Sequence, residues 1–334
     1  MTFFAAASAR LTAPRSKTGL ALAVAAVLGA NAAHAEDLLT TEIPGVVAAG
    51  TRIELLKEDL KGTEGPIAAP DGGLLFTENQ AGRILKIAAD GSFSVFSEQN
   101  NSSNALAYTP RGDLVSVQTA QTRVGVIQPA GHEKTLAEGF EGLPFGRPND
   151  LVADKRGGIY FTDSGANANQ PQPVSDKTPA KPAVYYITAK GELKRVANDI
   201  QRPNGIQLSP DEKVLYVANT PGEHVLAYDV AKDGSVSNRR DFARLVGWRK
   251  GENDSWSSGA DGLAVDADGR LYVATNAGVE VFTAEGKTLG VIQLPKKPQN
   301  LAFAGADKKT LYIVGRGSVY RLPTLASGYR GRVK

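Results

Sequence analysis

The sequence contains no cysteine and only three histidines among its 334 residues. The absence of cysteine excludes a disulfide framework, a thiolate metal site and a cysteine nucleophile. Only His132 and His224 follow residue 35, and no G-x-S-x-G sequence is present, so serine–histidine catalysis finds no support. Stability must come from an ordinary hydrophobic core, for which about 300 residues are ample.

Acidic side chains are absent from the first 35 residues. Basic side chains there precede an apolar run at residues 19–29, which is too short to span a bilayer, and an A-x-A sequence ends at Ala35. This pattern predicts a secretory signal peptide over residues 1–35, with cleavage after Ala35. We therefore expect an exported protein, either periplasmic or secreted.

Net charge nearly vanishes without this segment. The segment holds three of the 38 Lys and Arg residues and none of the 35 Asp and Glu residues, which leaves 38 − 3 = 35 of each sign. A neutral mature chain does not favour nucleic acid or a membrane as a partner. The expected partner is a small-molecule substrate, and the sequence leaves the oligomeric state open.

Long helical periods are also missing, and a repeated strand pattern takes their place. In residues 202–220, the pair Asn204-Gly205 precedes an apolar alternation, a tight turn and a second apolar run, which is typical of two paired strands. Six copies of this pattern begin at Glu64, Asn104, Asn149, Asn204, Asp261 and Asn300, with spacings of 40, 45, 55, 57 and 39 residues. Further strand-like segments follow each copy.

Four short antiparallel strands per repeat predict an all-β fold, a six-bladed β-propeller. Sandwich and barrel folds do not explain six copies of one pattern. The last copy lacks a strand, so a strand-like segment at 52–60 is expected to complete that blade and close the ring. The predicted organisation is one propeller domain at 51–323. It follows an N-terminal extension at 36–50, where a short helix around 38–47 is one alternative, and precedes a C-terminal tail at 324–334.

The first residue of every copy carries a side-chain oxygen. The innermost strand of a propeller blade runs along the central channel, so these six positions should form a ring around the axis. Asn-Gly and Asp-Gly pairs are also strong turn signals. However, each copy already has its turn several residues later, and Glu64 before Gly65 does not fit a turn role. Convergent oxygens are what a hard divalent cation requires.

We expect Glu64, Asn149, Asn204 and Asp261 to bind one divalent cation in the channel. Two carboxylates with neutral amide oxygens suit Ca²⁺ best, Mg²⁺ or Mn²⁺ next, and Zn²⁺ less well. If each residue gives one oxygen, roughly two to four of the six to eight positions around Ca²⁺ remain for water or substrate.

Substrate contacts are expected from the same ring. Arg-Pro precedes two of the copies, and Arg147 and Arg202 could reach an anionic or hydroxyl-rich substrate, with Asn149 and Asn104 as further contacts. Pairing of these arginines with acidic neighbours is the alternative, and Asp150 could support the ligands instead of binding directly. Long irregular segments at 165–182 and 248–259 are either surface loops or a lid over one mouth of the ring.

Four motifs in this order resemble those of the senescence-marker-protein/gluconolactonase/luciferin-regenerating-enzyme-like family. They are Glu64-Gly65-Pro66, Arg147-Pro148-Asn149-Asp150, Arg202-Pro203-Asn204-Gly205 and Ala260-Asp261-Gly262-Leu263. The resemblance covers about residues 51–322 and implies a six-bladed propeller with a divalent metal at the channel mouth. It implies Glu64, Asn204 and Asp261 as the core metal ligands, Asn149 as a further ligand or substrate contact, and Arg147 as a substrate contact.

The resemblance also implies hydrolysis of sugar lactones, with organophosphates as substrates of some members. The expected activity is therefore metal-dependent hydrolysis of the carboxylic ester bond of a lactone. Asp261 is the expected catalytic residue, as both a metal ligand and the carboxylate that moves the proton. The alternatives are an organophosphate-type hydrolase and a non-catalytic periplasmic binding propeller with a structural calcium ion.

Overall fold

The computed structural model describes residues 38–98, 100–166, 179–252 and 254–332. The predicted signal peptide and most of the predicted loop at 165–182 lie outside the described residues. Within the described ranges, no helix is both long enough and apolar enough to cross a membrane.

The described residues form six four-stranded antiparallel sheets, the blades of a propeller. Blade 1 consists of Glu64–Ala68, Leu74–Glu78, Arg83–Ile87 and Phe93–Ser97. Blade 2 consists of Ser103–Tyr108, Leu114–Gln118, Arg123–Gln128 and Lys134–Ala137. Blade 3 consists of Pro148–Ala153, Ile159–Asp163, Ala183–Ile187 and Leu193–Ala197.

The second half of the ring follows the same order. Blade 4 consists of Pro203–Leu208, Val214–Asn219, His224–Val230 and Val236–Arg244. Blade 5 consists of Leu263–Val265, Leu271–Thr275, Gly278–Phe282 and Thr288–Ile292. Blade 6 consists of Asn300–Ala304, Thr310–Gly315, Ser318–Pro323 and the N-terminal strand Glu54–Lys57.

Short elements connect the blades. Two small ribbons pair Gly139–Phe140 with Leu143–Pro144 and Arg249–Lys250 with Trp256–Ser257. Within blade 1, a 3₁₀ turn at Asn79–Ala81 joins the second strand to the third. Each of the six predicted copies corresponds to the first two strands of one blade.

The N-terminal strand closes the ring as predicted. Glu54–Lys57 pairs antiparallel with Ser318–Pro323, the third strand of blade 6. Glu54 lies opposite Arg321, and the arginine Nε donates to the glutamate Oε2 at 2.8 Å. Pairing the first strand with the last blade covers an edge that would otherwise expose unpaired backbone groups.

Six hydrophobic clusters of described residues hold the blades together, one between each pair of neighbours around the ring. In the cluster between blades 3 and 4, for example, Tyr160 and Tyr186 of blade 3 stack with ring centroids 4.3 Å apart, and the Tyr160 hydroxyl donates to the backbone oxygen of Gly234 in blade 4 at 2.8 Å. Because each sheet is covered on both faces, the second strands are nearly continuous apolar runs instead of alternating ones. Leu74–Glu78 is buried along its whole length.

The segment before the first blade is not helical, so the helical alternative at 38–47 is wrong. Pro44 and Gly45, whose φ is +71°, make a turn there, with an isolated bridge between Ile43 and Val47. Neither residue favours a helix interior. Ile43 and Val47 are buried in the cluster between blades 5 and 6, and the backbone N–H of Leu325 donates to Val46 at 2.8 Å.

This packing predicts that the segment stabilises the ring. Ile43→Ala should lower the free energy of unfolding by roughly 2–5 kcal/mol, because it removes a side chain that is 1% exposed. Leu39→Ala, at a side chain that is 54% exposed, should change it by less than about 0.5 kcal/mol. Urea denaturation of both variants checks this, and equal midpoints would contradict it.

Candidate functional site

A cavity of about 520 Å³ lies where the first strands of the blades converge. The residues proposed as cation ligands or substrate contacts line it: Glu64, Asn104, Arg147, Asn149, Asn204 and Asp261. Asn300, the sixth position of the predicted ring, is not among the lining residues. The six proposed residues come from five different blades, so the closed ring alone brings them together.

Bulges in the first strands direct the ring residues toward the channel. In blade 1, Glu64 and Ile67 lie opposite Thr77 and Leu75, so one extra residue stands on the first strand. The same irregularity follows Pro148 in blade 3 and Pro203 in blade 4. A bulge leaves a residue outside the regular ladder and re-aims its side chain. Blade 6 pairs regularly from Asn300 onward.

Glycines beside the ring allow neighbouring blades to approach each other closely. A Cβ atom on Gly205 would lie 2.1 Å from the backbone oxygen of Asp261 in blade 5. A Cβ atom on Gly65 would lie 2.5 Å from the backbone oxygen of Asn104, and one on Gly262 would lie 2.1 Å from Oδ1 of Asn300. The Asn204-Gly205 pair is therefore part of a strand and not of a turn, and its glycine is required by contact between blades.

Hydroxyl groups connect the same backbones. The side chain of Thr162 in blade 3 donates to the backbone oxygen of Asn204 in blade 4 at 2.6 Å. The side chain of Thr77 in blade 1 donates to the backbone oxygen of Asn104 in blade 2 at 2.8 Å. Each bond fixes the backbone that carries a ring residue on the next blade.

Glu64 is a buried carboxylate held by amides. Gln299 Nε2 and Asn300 Nδ2 each donate to it at 3.1 Å, one to each oxygen. Burial raises the pKa of Glu64 well above its usual range, and the negative charges of Asp261 and Asp150 raise it further. An uncompensated carboxylate in this position therefore favours protonation or a cation beside it.

Asp261 is the second carboxylate of the cavity and is half-buried. Burial raises the pKa of Asp261 to about 7, against the lowering effect of Lys297 and with a further increase from Asp150. Asp150 itself accepts from the backbone N–H of Leu151 and of Ile206, in blade 4. Asp150 is not among the residues that line the cavity, which agrees with a role in supporting the ligands instead of binding directly.

Asn204 has an oxygen whose position fits a cation. Its Nδ2 donates to Thr220 Oγ1 at 3.0 Å, which fixes the orientation of the amide. Its Oδ1 is buried and has no hydrogen-bond donor among the described residues. A buried polar atom without a partner is costly. A divalent cation beside Glu64 and Asp261 would remove that cost, so the residues present fit such an ion.

Within the described residues, no group of three or more His, Asp or Glu side chains is placed to hold a metal ion. The candidate centre instead combines two carboxylates with amide oxygens. That donor set suits a hard cation such as Ca²⁺.

Two ring asparagines hold their neighbours instead of pointing free oxygens into the cavity. Asn104 accepts from Asn79 Nδ2 at 2.7 Å and donates to the backbone oxygen of Asn149 at 2.8 Å. Asn300 donates to Glu64 and accepts from the backbone N–H of Leu301 at 2.9 Å. The ring thus divides into residues with available oxygens and residues that position them.

A second set of polar residues was missed by the sequence reasoning. At the end of the second strand in four blades, a side-chain oxygen accepts from the segment that enters the first strand of the same blade: Glu78, Gln118, Asp163 and Asn219. Asp163 accepts from the backbone N–H of Arg147 at 2.6 Å and of Gly146 at 2.8 Å, which fixes the segment that carries the cavity arginine. The polar residue that recurs near the end of these four copies could have revealed this set.

Comparison with known proteins finds similar chains and similar solved structures. The model of the SMP-30/Gluconolactonase/LRE-like region matches residues 62–316. A gluconolactonase of Zymomonas mobilis is 25% identical over 96% of this chain and 94% of its own length. A diisopropyl-fluorophosphatase of Loligo vulgaris is 26% identical over 81% of this chain and 90% of its own length. The solved structure of a gluconolactonase from Xanthomonas campestris superposes with a TM-score of 0.74 and 27% identity, covering 86% of this chain and 94% of that one.

The raised pKa of Asp261 predicts a pH-dependent stability. The folded state binds this proton more tightly than the unfolded chain, whose aspartates have a pKa of about 3.9. In chelator, the melting temperature should therefore fall as the pH rises from about 4 through 7. Asp261→Asn should show a flatter profile over that range. Melting curves at several pH values check this, and parallel profiles of the two proteins would contradict it.

The contact between blades 4 and 5 predicts a strong effect of Gly205→Ala. The added Cβ would meet the backbone of Asp261, so the variant should lose stability and distort the site. Gly112→Ala is the control, because its φ of +86° carries backbone strain of about 1–2 kcal/mol but no atom lies within 4 Å. Thermal unfolding compares them, and equal losses would refute the packing role.

Proposed function

The chain belongs to the SMP-30/gluconolactonase/LRE-like family, and we propose that it is a divalent-metal-dependent hydrolase of a sugar lactone or related cyclic ester. The observation that carries the proposal is the buried, unsatisfied Oδ1 of Asn204 in the cavity that also holds the carboxylates of Glu64 and Asp261. The gluconolactonases among the relatives support the reaction class.

We propose Glu64, Asn149, Asn204 and Asp261 as the residues that would hold the cation, with Ca²⁺ favoured over Mg²⁺, Mn²⁺ and Zn²⁺. When bound, the cation would polarise the ester carbonyl and lower the pKa of a water molecule. The amide contacts to Glu64 from Gln299 and Asn300 would keep its oxygens oriented for this role.

The remaining chemistry is assigned to side chains of the cavity. Water adds to the carbonyl carbon, the bond from that carbon to the ring oxygen breaks, and the proton lost by water is transferred to the ring oxygen, which yields the open-chain hydroxy acid. We assign the proton transfer to Asp261, whose pKa near neutrality suits it to accept and return a proton. Arg147 and Asn149, with Asn104 behind them, would orient the substrate.

A second candidate is hydrolysis of an organophosphate at the same centre. The diisopropyl-fluorophosphatase relative, aligned over 81% of this chain, favours it. The binding alternative, with a structural ion and no turnover, is decided by the same assays.

The proposal predicts turnover of D-glucono-1,5-lactone by the purified protein with added Ca²⁺ or Mn²⁺, and loss of turnover with chelator. Asp261→Asn and Glu64→Gln should each lower kcat/KM by at least about a hundredfold, because they remove a proton-transfer group or a cation ligand. A pH-stat assay, corrected for spontaneous hydrolysis, measures this.

Glu285→Gln is the matched control, because it removes one negative charge from an exposed residue outside the cavity. It should keep full activity. Full activity in Asp261→Asn or Glu64→Gln would refute the metal mechanism. If chelator lowers the melting temperature while no lactone or organophosphate is hydrolysed, the binding propeller is the correct alternative.

A further inference from the structure

Three cationic side chains line one side of the cavity, opposite in charge to its carboxylates. Arg202 immediately precedes the first strand of blade 4, Lys297 lies in the segment that leads into blade 6, and Arg316 lies in the hairpin between the second and third strands of blade 6. Blades 4, 5 and 6 are consecutive, so these residues share one side of the ring. We call them the basic rim.

No carboxylate of the described residues forms a direct ion pair with a side chain of the basic rim. Within the described ranges, none of its three side chains forms an ion pair or a side-chain hydrogen bond. Outer-strand arginines behave differently: Arg240 pairs with Asp229 at 2.7 Å, and Arg244 pairs with Glu223 at 2.7 Å. Because these three cations line one cavity and contact no carboxylate directly, an anionic group of another molecule can pair with them.

Lys297 is held in a position where its positive charge is disfavoured. A Cβ atom on Gly259 would lie 2.3 Å from Nζ of Lys297, so the ammonium group packs directly on the glycine backbone. Gly259 is fixed in turn by its N–H, which donates to the backbone oxygen of Thr220 at 3.0 Å. Burial lowers the pKa of Lys297, and the positive charges of Arg316 and Arg202 contribute to the lowering, against the effect of Asp261.

The charged side chains that line the cavity sum to a net positive charge, whether or not its two carboxylates are ionised. With Arg147 the lining has four cations, and Glu64 and Asp261 are its two carboxylates, which gives 4 − 2 = +2 when both are ionised. Protonation of either carboxylate makes the sum more positive, and a bound divalent cation would add two further charges. A concave surface with this sign attracts anions.

We propose that the basic rim of Arg202, Lys297 and Arg316 binds an anionic group of the substrate, so that the preferred lactone carries a phosphate, sulfonate or carboxylate away from its reacting carbonyl. This inference rests on the proposed lactone hydrolysis. A neutral lactone would need hydrogen-bond donors, which Asn149 and Arg147 already offer, and would leave the three rim cations without a function.

The test compares 6-phospho-D-glucono-1,5-lactone, D-glucaro-1,4-lactone and neutral D-glucono-1,5-lactone in the pH-stat assay. At least one of the anionic lactones should show a kcat/KM about tenfold or more above the neutral one, the scale of one charge-assisted hydrogen bond. The excess should shrink as ionic strength rises.

Variants then locate the effect. Arg202→Gln, Lys297→Gln and Arg316→Gln should each reduce the ratio of anionic to neutral kcat/KM by about tenfold, mainly through KM. Arg239→Gln is the control, because it removes an equal charge from an outer strand of blade 4, and it should keep the wild-type ratio. A ratio near one in the wild-type protein, or one that the rim variants leave unchanged, would overturn the inference.

A binding measurement separates this inference from the proposed function. Thermal stabilisation by 6-phosphogluconate should exceed that by gluconate in the wild-type protein, and the difference should disappear in Lys297→Gln. If no lactone is hydrolysed but this difference is present, the anion site stands and lactone hydrolysis is refuted. If neither turnover nor the difference is seen, both are refuted.

Discussion

Electrostatic repulsion between the buried carboxylate of Glu64 and the half-buried carboxylate of Asp261 is the constraint on which the centre of this protein depends. Neither is neutralised by a direct ion pair within the described chain, and burial together with the nearby charge of Asp150 raises the pKa of both. Carboxylates brought together out of water favour either protonation or a cation between them. The oxygen of Asn204, left without a donor beside them, favours the cation.

The propeller holds this unfavourable arrangement because its blades are fixed to one another at the axis. Gly65 and Gly205 allow neighbouring first strands to come into direct contact, and Thr77 and Thr162 bond the backbone of the next blade. The apolar clusters between blades supply the favourable burial energy outside the axis. Ring closure by Glu54–Lys57 therefore supports the site, although this strand is the outermost of blade 6 and does not line the cavity.

The cavity combines charges of both signs. Carboxylate and amide oxygens lie at or near the starts of the first strands, and Arg202, Lys297 and Arg316 are close enough to Asp261 to lower its pKa. The cations outnumber the carboxylates, which favours a ligand that carries negative charge. The fold alone would not distinguish an enzyme from a binding protein, whereas the charged groups that line the cavity limit the ligands it favours.

The sequence by itself determined the propeller and its closure, because each blade is written as a local pattern of strand, turn and strand, and six local patterns specify a ring. It also identified five of the residues that line the cavity, since equivalent positions of a repeat converge on one axis, whereas the sixth position, Asn300, contacts Glu64 and is not a lining residue. It could not tell that Gly205 serves blade contact instead of a turn, or that Asn104 and Asn300 hold neighbours while Asn204 keeps a free oxygen. Those distinctions depend on contacts between blades, such as the bond from Thr162 to Asn204, 42 residues away. Only the tertiary structure brings such groups within hydrogen-bonding distance, and so it alone decided which oxygens remain available for chemistry.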